Sequence, residues 1–87
     1  MERYRLVFKK SVAKDLRGIP NDDVARILAR IQTLAEDPRP PGSSKLSAQE
    51  RYRVRQGVYR IIYEIKNDEL VVVVVKVGHR REVYTDS

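Results

Sequence analysis

The sequence predicts a single α+β domain: a small, mostly antiparallel sheet with two N-terminal helices packed on one face, in the order β-α-α-β-β-β. Two observations carry this reading. Apolar residues recur at helical spacing between residues 12 and 35, and from residue 51 onward their period drops to two. The proline-rich stretch "DPRPPGSS" separates the two regimes. At 87 residues, positions 1–87 form one domain, near the lower size at which a hydrophobic core holds a fold without staples.

The first strand is "RYRLVFKK", in which Tyr4 and Leu6, with Phe8 in the same phase, alternate with Arg3, Arg5 and Val7. A short helix follows in "SVAKDLRGIP", where Val12, Leu16 and Ile19 fall on one side, Ser11 is a candidate cap and Gly18 a stop. From Pro20 to Glu36 a stripe of Val24, Ile27, Leu28, Ile31, Leu34 and Ala35 marks the second helix. Asn21 or Asp22 is its expected N-cap, and Asp22 and Asp23 suit the positive end of the helix dipole.

In the second half, "ERYRVRQ" sets Tyr52 and Val54 on one side and Arg51, Arg53 and Arg55 on the other; "GVYRIIYEI", the turn "KNDE" and "LVVVVVKV" complete three strands. The run from Leu70 to Val75 is apolar on both faces, as expected of a central strand covered on both sides. Gly78 permits a bend or bulge where that strand ends. With the helices on one face, the other face carries Arg53 and Arg55 and is open to a ligand.

Composition narrows the function. No cysteine is present, which removes disulfides, thiolate zinc sites and a cysteine nucleophile, and suits a reducing cytosol. No apolar run approaches the roughly 20 residues of a membrane span, and "MERYRLVFKK" lacks the apolar core of a signal peptide. The expectation is a soluble cytoplasmic protein with no membrane association. The net charge is +6, with 12 arginines against 6 lysines, a balance that favours planar, bidentate acceptors such as phosphate.

The arginines cluster. Alternation sets Arg51, Arg53 and Arg55 in a row about 6.5 to 7 Å apart, a spacing comparable to that of phosphates along a polynucleotide. A solvated strand face gives the same pattern, but Arg60 lies among Val58, Ile61 and Ile62 on the next strand, where a charge needs a reason. A tight turn brings it beside the first row. A second basic group, His79, Arg80 and Arg81, ends at Tyr84 in "VGHRREVY". A lone histidine is more often structural than catalytic, and a lone tyrosine more often packing.

Scattered acids and one histidine make no metal site, so no metal or cofactor is expected. Ser43, Ser44 and Ser47 lie in or beside a loop without an evident base, which speaks against acyl transfer. Arginine charge stabilisation with proton transfer by tyrosine or histidine remains. That set suits metal-free RNA cleavage, in which the 2′-hydroxyl attacks the adjacent phosphate.

The "GxYRxxY" pattern at residues 57–63 and the "VGxR…VY" pattern at 77–84, with the preceding "KLS", strand and helices, resemble the RelE/ParE superfamily of bacterial toxins. Within it the sequence looks most like the RelE-like ribosome-dependent mRNA endonucleases, toxins of type II toxin–antitoxin modules. The resemblance spans almost the whole chain and implies a compact antiparallel sheet with two helices on one face. It also implies metal-independent cleavage of mRNA in the ribosomal A site, leaving a 2′,3′-cyclic phosphate and a 5′-hydroxyl, and so a block on translation. By motif, phosphate stabilisation falls to Arg60 and Arg80, base or stacking duty to Tyr84, and positioning to Arg53 and Arg55. Arg51, Lys45 and Arg81 are further substrate contacts.

The family's best-known pattern has lysines where this sequence has Arg53 and Arg55, and arginine, with a pKa above about 12, is no general base at neutral pH. His79 is therefore a further candidate acid or base. The implied partners are a cognate antitoxin, the ribosome and mRNA. Two other readings stand beside the nuclease: a ParE-like inhibitor of DNA gyrase that cuts nothing, and a non-catalytic RNA or ribosome binder. Relatives of the gyrase-inhibiting kind generally lack the arginine and tyrosine set.

Overall fold

The structure of the protein, a computed structural model, describes residues 3–46 and 51–79. Strand β1 (Arg5–Phe8) leads into helices α1 (Lys10–Arg17) and α2 (Asn21–Thr33); β2 (Ser44–Lys45), β3 (Arg51–Gln56), β4 (Tyr59–Lys66) and β5 (Val71–His79) follow. One five-stranded sheet runs in the order β1-β5-β4-β3-β2. β1 lies parallel to β5, and the other three pairings are antiparallel. The expected α+β arrangement is therefore present, with the two-residue β2 added at one edge.

Both helix starts differ from expectation. Lys9, in extended backbone, takes the cap position of α1 and leaves Ser11 inside the first turn. Pro20 does the same for α2, so neither Asn21 nor Asp22 is the N-cap. Proline's fixed φ already delivers the chain in an extended entry conformation, here φ −54° and ψ 144°. Gly18 closes α1 as read. Beyond Thr33 the chain tightens into i to i+3 bonds, Leu34 N–H to Ile31 carbonyl and Ala35 N–H to Gln32 carbonyl. Leu34 and Ala35 thereby stay on the apolar stripe, 0% and 2% exposed.

The core lies between that stripe and one sheet face. Val12 of α1 and Ile27, Ile31 and Leu34 pack with Tyr52, Val54, Ile61, Tyr63, Ile65, Val72, Val74 and Val77. Burial of these side chains is the main force holding helices to sheet. Two tyrosines tie down the proline loop after α2. The buried Tyr63 hydroxyl donates to the Pro38 carbonyl at 2.6 Å, and Arg39 Nε donates to the Tyr52 hydroxyl at 3.0 Å. Burial pushes the Tyr63 phenol up to about 12.

The bulge expected at Gly78 lies earlier. Ile62 pairs with Lys76 and Tyr63 with Val74, so Val75 is an extra residue on β5, while Gly78 continues the strand opposite Arg60. Side chains alternate faces along a strand, and one inserted residue reverses the phase. Val72 and Val74 before the bulge and Val77 after it all reach the helix side, and Lys76 is turned away from it. β5 is interior, as read, but helices cover only one of its faces.

Candidate functional site

Residues paired directly across antiparallel strands project to the same face. The register therefore lays out the helix-free face as three rows: Arg51, Glu64 and Val73; Arg53, Ile62 and Lys76; Arg55, Arg60 and Gly78. Rows are about 6.5 to 7 Å apart and neighbouring strands about 4.8 Å apart. Arg53, Arg55, Arg60 and Lys76 thus form one cationic patch around Ile62. The turn that brings Arg60 into it is two residues long, Gly57 and Val58. Gly57 has φ 61°, a value natural to glycine, and Val58 has no positive φ, the sign pattern of a II′ hairpin turn.

The four cations are not equivalent. Arg55 is exposed, Arg53 and Lys76 are half-buried, and Arg60 retains 3% of its surface. A guanidinium removed from water is held in place and partly desolvated, so its field on a neighbouring anion is stronger than that of a surface arginine. Gly78, directly opposite Arg60, places no side chain beside it.

Arg51 stands apart at the other end of the strand. Its NH2 group meets Glu64 Oε2 at 2.5 Å across the β3–β4 pair. That hydrogen bond holds the Glu64 carboxyl below its ordinary value, with the Arg51 charge adding to it. The row of three arginines legible in the sequence thus divides into one that is ion-paired and two that border Arg60.

His79 and Lys45 fall on the other phase. His79 pairs with Tyr59, which puts it on the helix side, its ring edge-on to the Tyr59 ring at 6.2 Å. The Tyr59 hydroxyl in turn reaches Asp23 of α2 at 3.5 Å. Lys45 pairs with Tyr52 at the sheet edge. The structure does not bring either residue together with Arg60. Arg80, Arg81 and Tyr84 lie outside the described residues. The sequence alone does not place Lys76, because it follows five valines that fit either face; its one signal is a charge inside an interior strand.

Comparison with known proteins gives the same frame a family. Residues 6–84 match the family described as the ParE toxin of the type II toxin-antitoxin system parDE. A candidate toxin RelE1 of Methanocaldococcus jannaschii is 27% identical over 86 residues, covering 94% of this chain and 96% of that protein. Among solved structures, the archaeal RelE-RelB complex from Pyrococcus horikoshii OT3 matches at a TM-score of 0.80 and 30% identity, over 92% of this chain and 97% of that one. The toxin-antitoxin complex RelBE2 from Mycobacterium tuberculosis matches at 0.81 and 25%, over 92% and 94%. A mutant of Escherichia coli toxin RelE in the free state matches at 0.78 and 25%, over 95% and 92%.

The helix-backed mixed sheet is a scaffold this chain shares with the RelE toxin it matches. The chain belongs to the RelE/ParE superfamily of type II toxin–antitoxin toxins and is RelE-like in fold.

Proposed function

We propose that this toxin is a metal-independent endoribonuclease that cleaves mRNA in the ribosomal A site and so inhibits translation. The observation that carries the reading is the shared face of Arg53, Arg55 and Arg60, opposite the helices. In the reaction the RNA 2′-oxygen attacks the adjacent phosphorus, the bond from phosphorus to the 5′-oxygen breaks, and a cyclic phosphate and a 5′-hydroxyl result. One proton leaves the 2′-hydroxyl and one is delivered to the departing oxygen. Negative charge accumulates on the phosphoryl oxygens between these events, and preorganised guanidinium groups lower the barrier by meeting it there. Arg60, already desolvated, takes that role together with Arg80; Arg53 and Arg55 position the strand, and Tyr84 handles a proton or stacks on a base. His79, on the helix side, is the weaker candidate for proton transfer.

A cognate antitoxin is the partner this reading supplies, since relatives of the same fold are seen in RelE-RelB complexes. A +6 chain favours an acidic partner. No helix among the described residues is long and apolar enough to cross a membrane.

The test is cleavage on programmed ribosomes stalled on a defined mRNA, with ends mapped by primer extension and Arg80→Ala alongside. A-site cuts that fall about 100-fold or more in the variant support the reading. The matched ParE family favours a second reading, inhibition of DNA gyrase without cutting. Growth arrest with intact mRNA and loss of supercoiling activity would select it.

A further inference from the structure

Resting on the nuclease reading, we propose that Lys76 is a further substrate-positioning residue, a phosphate contact on the third strand of the cationic face. The β5 bulge is what brings it to this face. With Val72 and Val74 buried under the helices, strict alternation would point Lys76 into the core beside them. The extra residue, Val75, reverses the phase, so that Lys76 stands opposite Ile62 in the same row as Arg53.

Lysine is disfavoured in strands, and here it occupies an interior strand otherwise built of valine. Its position extends the patch across the sheet. Arg53 and Lys76 lie two strand spacings apart, about 9.5 Å, with Ile62 between them, and Arg60 is diagonal to both. Of the four patch cations, a nucleic-acid backbone running along β3 would meet only Arg53 and Arg55, with the ion-paired Arg51 beyond them. With Lys76 included, the chain is directed across the strands, over Ile62, so that a phosphate held by Arg53 or Arg55 and a second held by Lys76 flank the one nearest Arg60. The two residue types suit such a division: an arginine presents a planar fork to one phosphate, and a lysine a compact charge with rotatable donors to the next.

The experiment compares Lys76→Ala, the neutral polar Lys76→Gln, one atom shorter than lysine, Lys76→Arg and Arg55→Ala with wild type. Lys14→Ala, on the exposed part of α1, serves as a control. One arm measures binding of a labelled single-stranded oligoribonucleotide across a salt series; the other measures programmed-ribosome cleavage with kcat and KM separated. Thermal melts establish that each variant is folded, and Lys76→Gln stands in if Lys76→Ala is not.

The expected result is a roughly 3- to 10-fold loss of RNA affinity in Lys76→Ala and Lys76→Gln, with a salt slope shallower by about 0.7. KM should rise by a similar factor with kcat little changed, Lys76→Arg should restore both, and Lys14→Ala should match wild type. Folded Lys76 variants that keep wild-type affinity and slope, while Arg55→Ala loses both, would overturn this assignment and leave the nuclease reading standing. A wild-type protein that neither cuts programmed mRNA nor binds RNA in a salt-dependent way would overturn the two together.

Discussion

Arg55 on β3 and Arg60 on β4 stand directly across the sheet from one another, the first exposed and the second 3% exposed. Like charges directly opposite one another destabilise a sheet. Arg55→Thr should therefore raise the melting temperature in low salt, by less in high salt where the repulsion is screened, while weakening RNA binding. Thermal denaturation at two ionic strengths checks the first part and a binding titration the second. A fall in stability at both ionic strengths would show that the pair is not repulsive.

Glu64 and Arg51 make the opposite kind of pair. Glu64→Gln should cost about 1 kcal/mol or less at neutral pH, because both side chains remain partly exposed, 25% and 37%. Its folded-state pKa lies below the ordinary 4.5. The stabilisation is therefore present above that unfolded value and disappears as pH falls through the folded one. Urea denaturation of both proteins from pH 7 down to pH 3 should show the gap closing at the acid end.

Tyr63→Phe removes a buried hydroxyl and leaves the Pro38 carbonyl without that donor, at an expected cost of about 1 to 2 kcal/mol. The pH dependence has the reverse sense to that of Glu64. The phenol is raised from 10.0 to about 12, so its contribution is complete below pH 10 and is lost as pH rises toward 12. The alkaline decline in stability should be shallower in Tyr63→Phe than in wild type.

Asp15 of α1 accepts the Val77 N–H at 3.2 Å, on the part of β5 that β1 does not reach. Asp15→Ala should cost about 1 to 2 kcal/mol and speed exchange of the Val77 amide proton, with smaller effects at residues 71–74. Hydrogen exchange followed residue by residue would show whether the change is local.

The parts of the fold that were legible are those where residue type and period agree. Tyr52 and Val54 could only face the core while Arg53 and Arg55 faced out, and the short turn at Gly57 fixed Arg60 beside them. The bulge at Val75 was hidden because valines at 71–75 fit either face, so side-chain chemistry does not set the phase of β5. That one residue decided two assignments. It carried Lys76 onto the cationic face and His79 away from it. β2 was hidden for a different reason, since two residues show no period. Arg51 looked equivalent to its neighbours because alternation cannot reveal a partner on the next strand.

Asp15 also bears on how the molecule behaves among its own copies. Unpaired strand amides invite an incoming strand, and a sheet with helices on only one face depends on its edges to resist such pairing. Among the described residues, the outer strands are only four and two residues long. The longer stretch of β5 beyond β1 meets a carboxylate on a helix that an approaching backbone would have to displace. The sheet can thus leave one face without helices and still, among the described residues, offer no long template for stacking edge to edge.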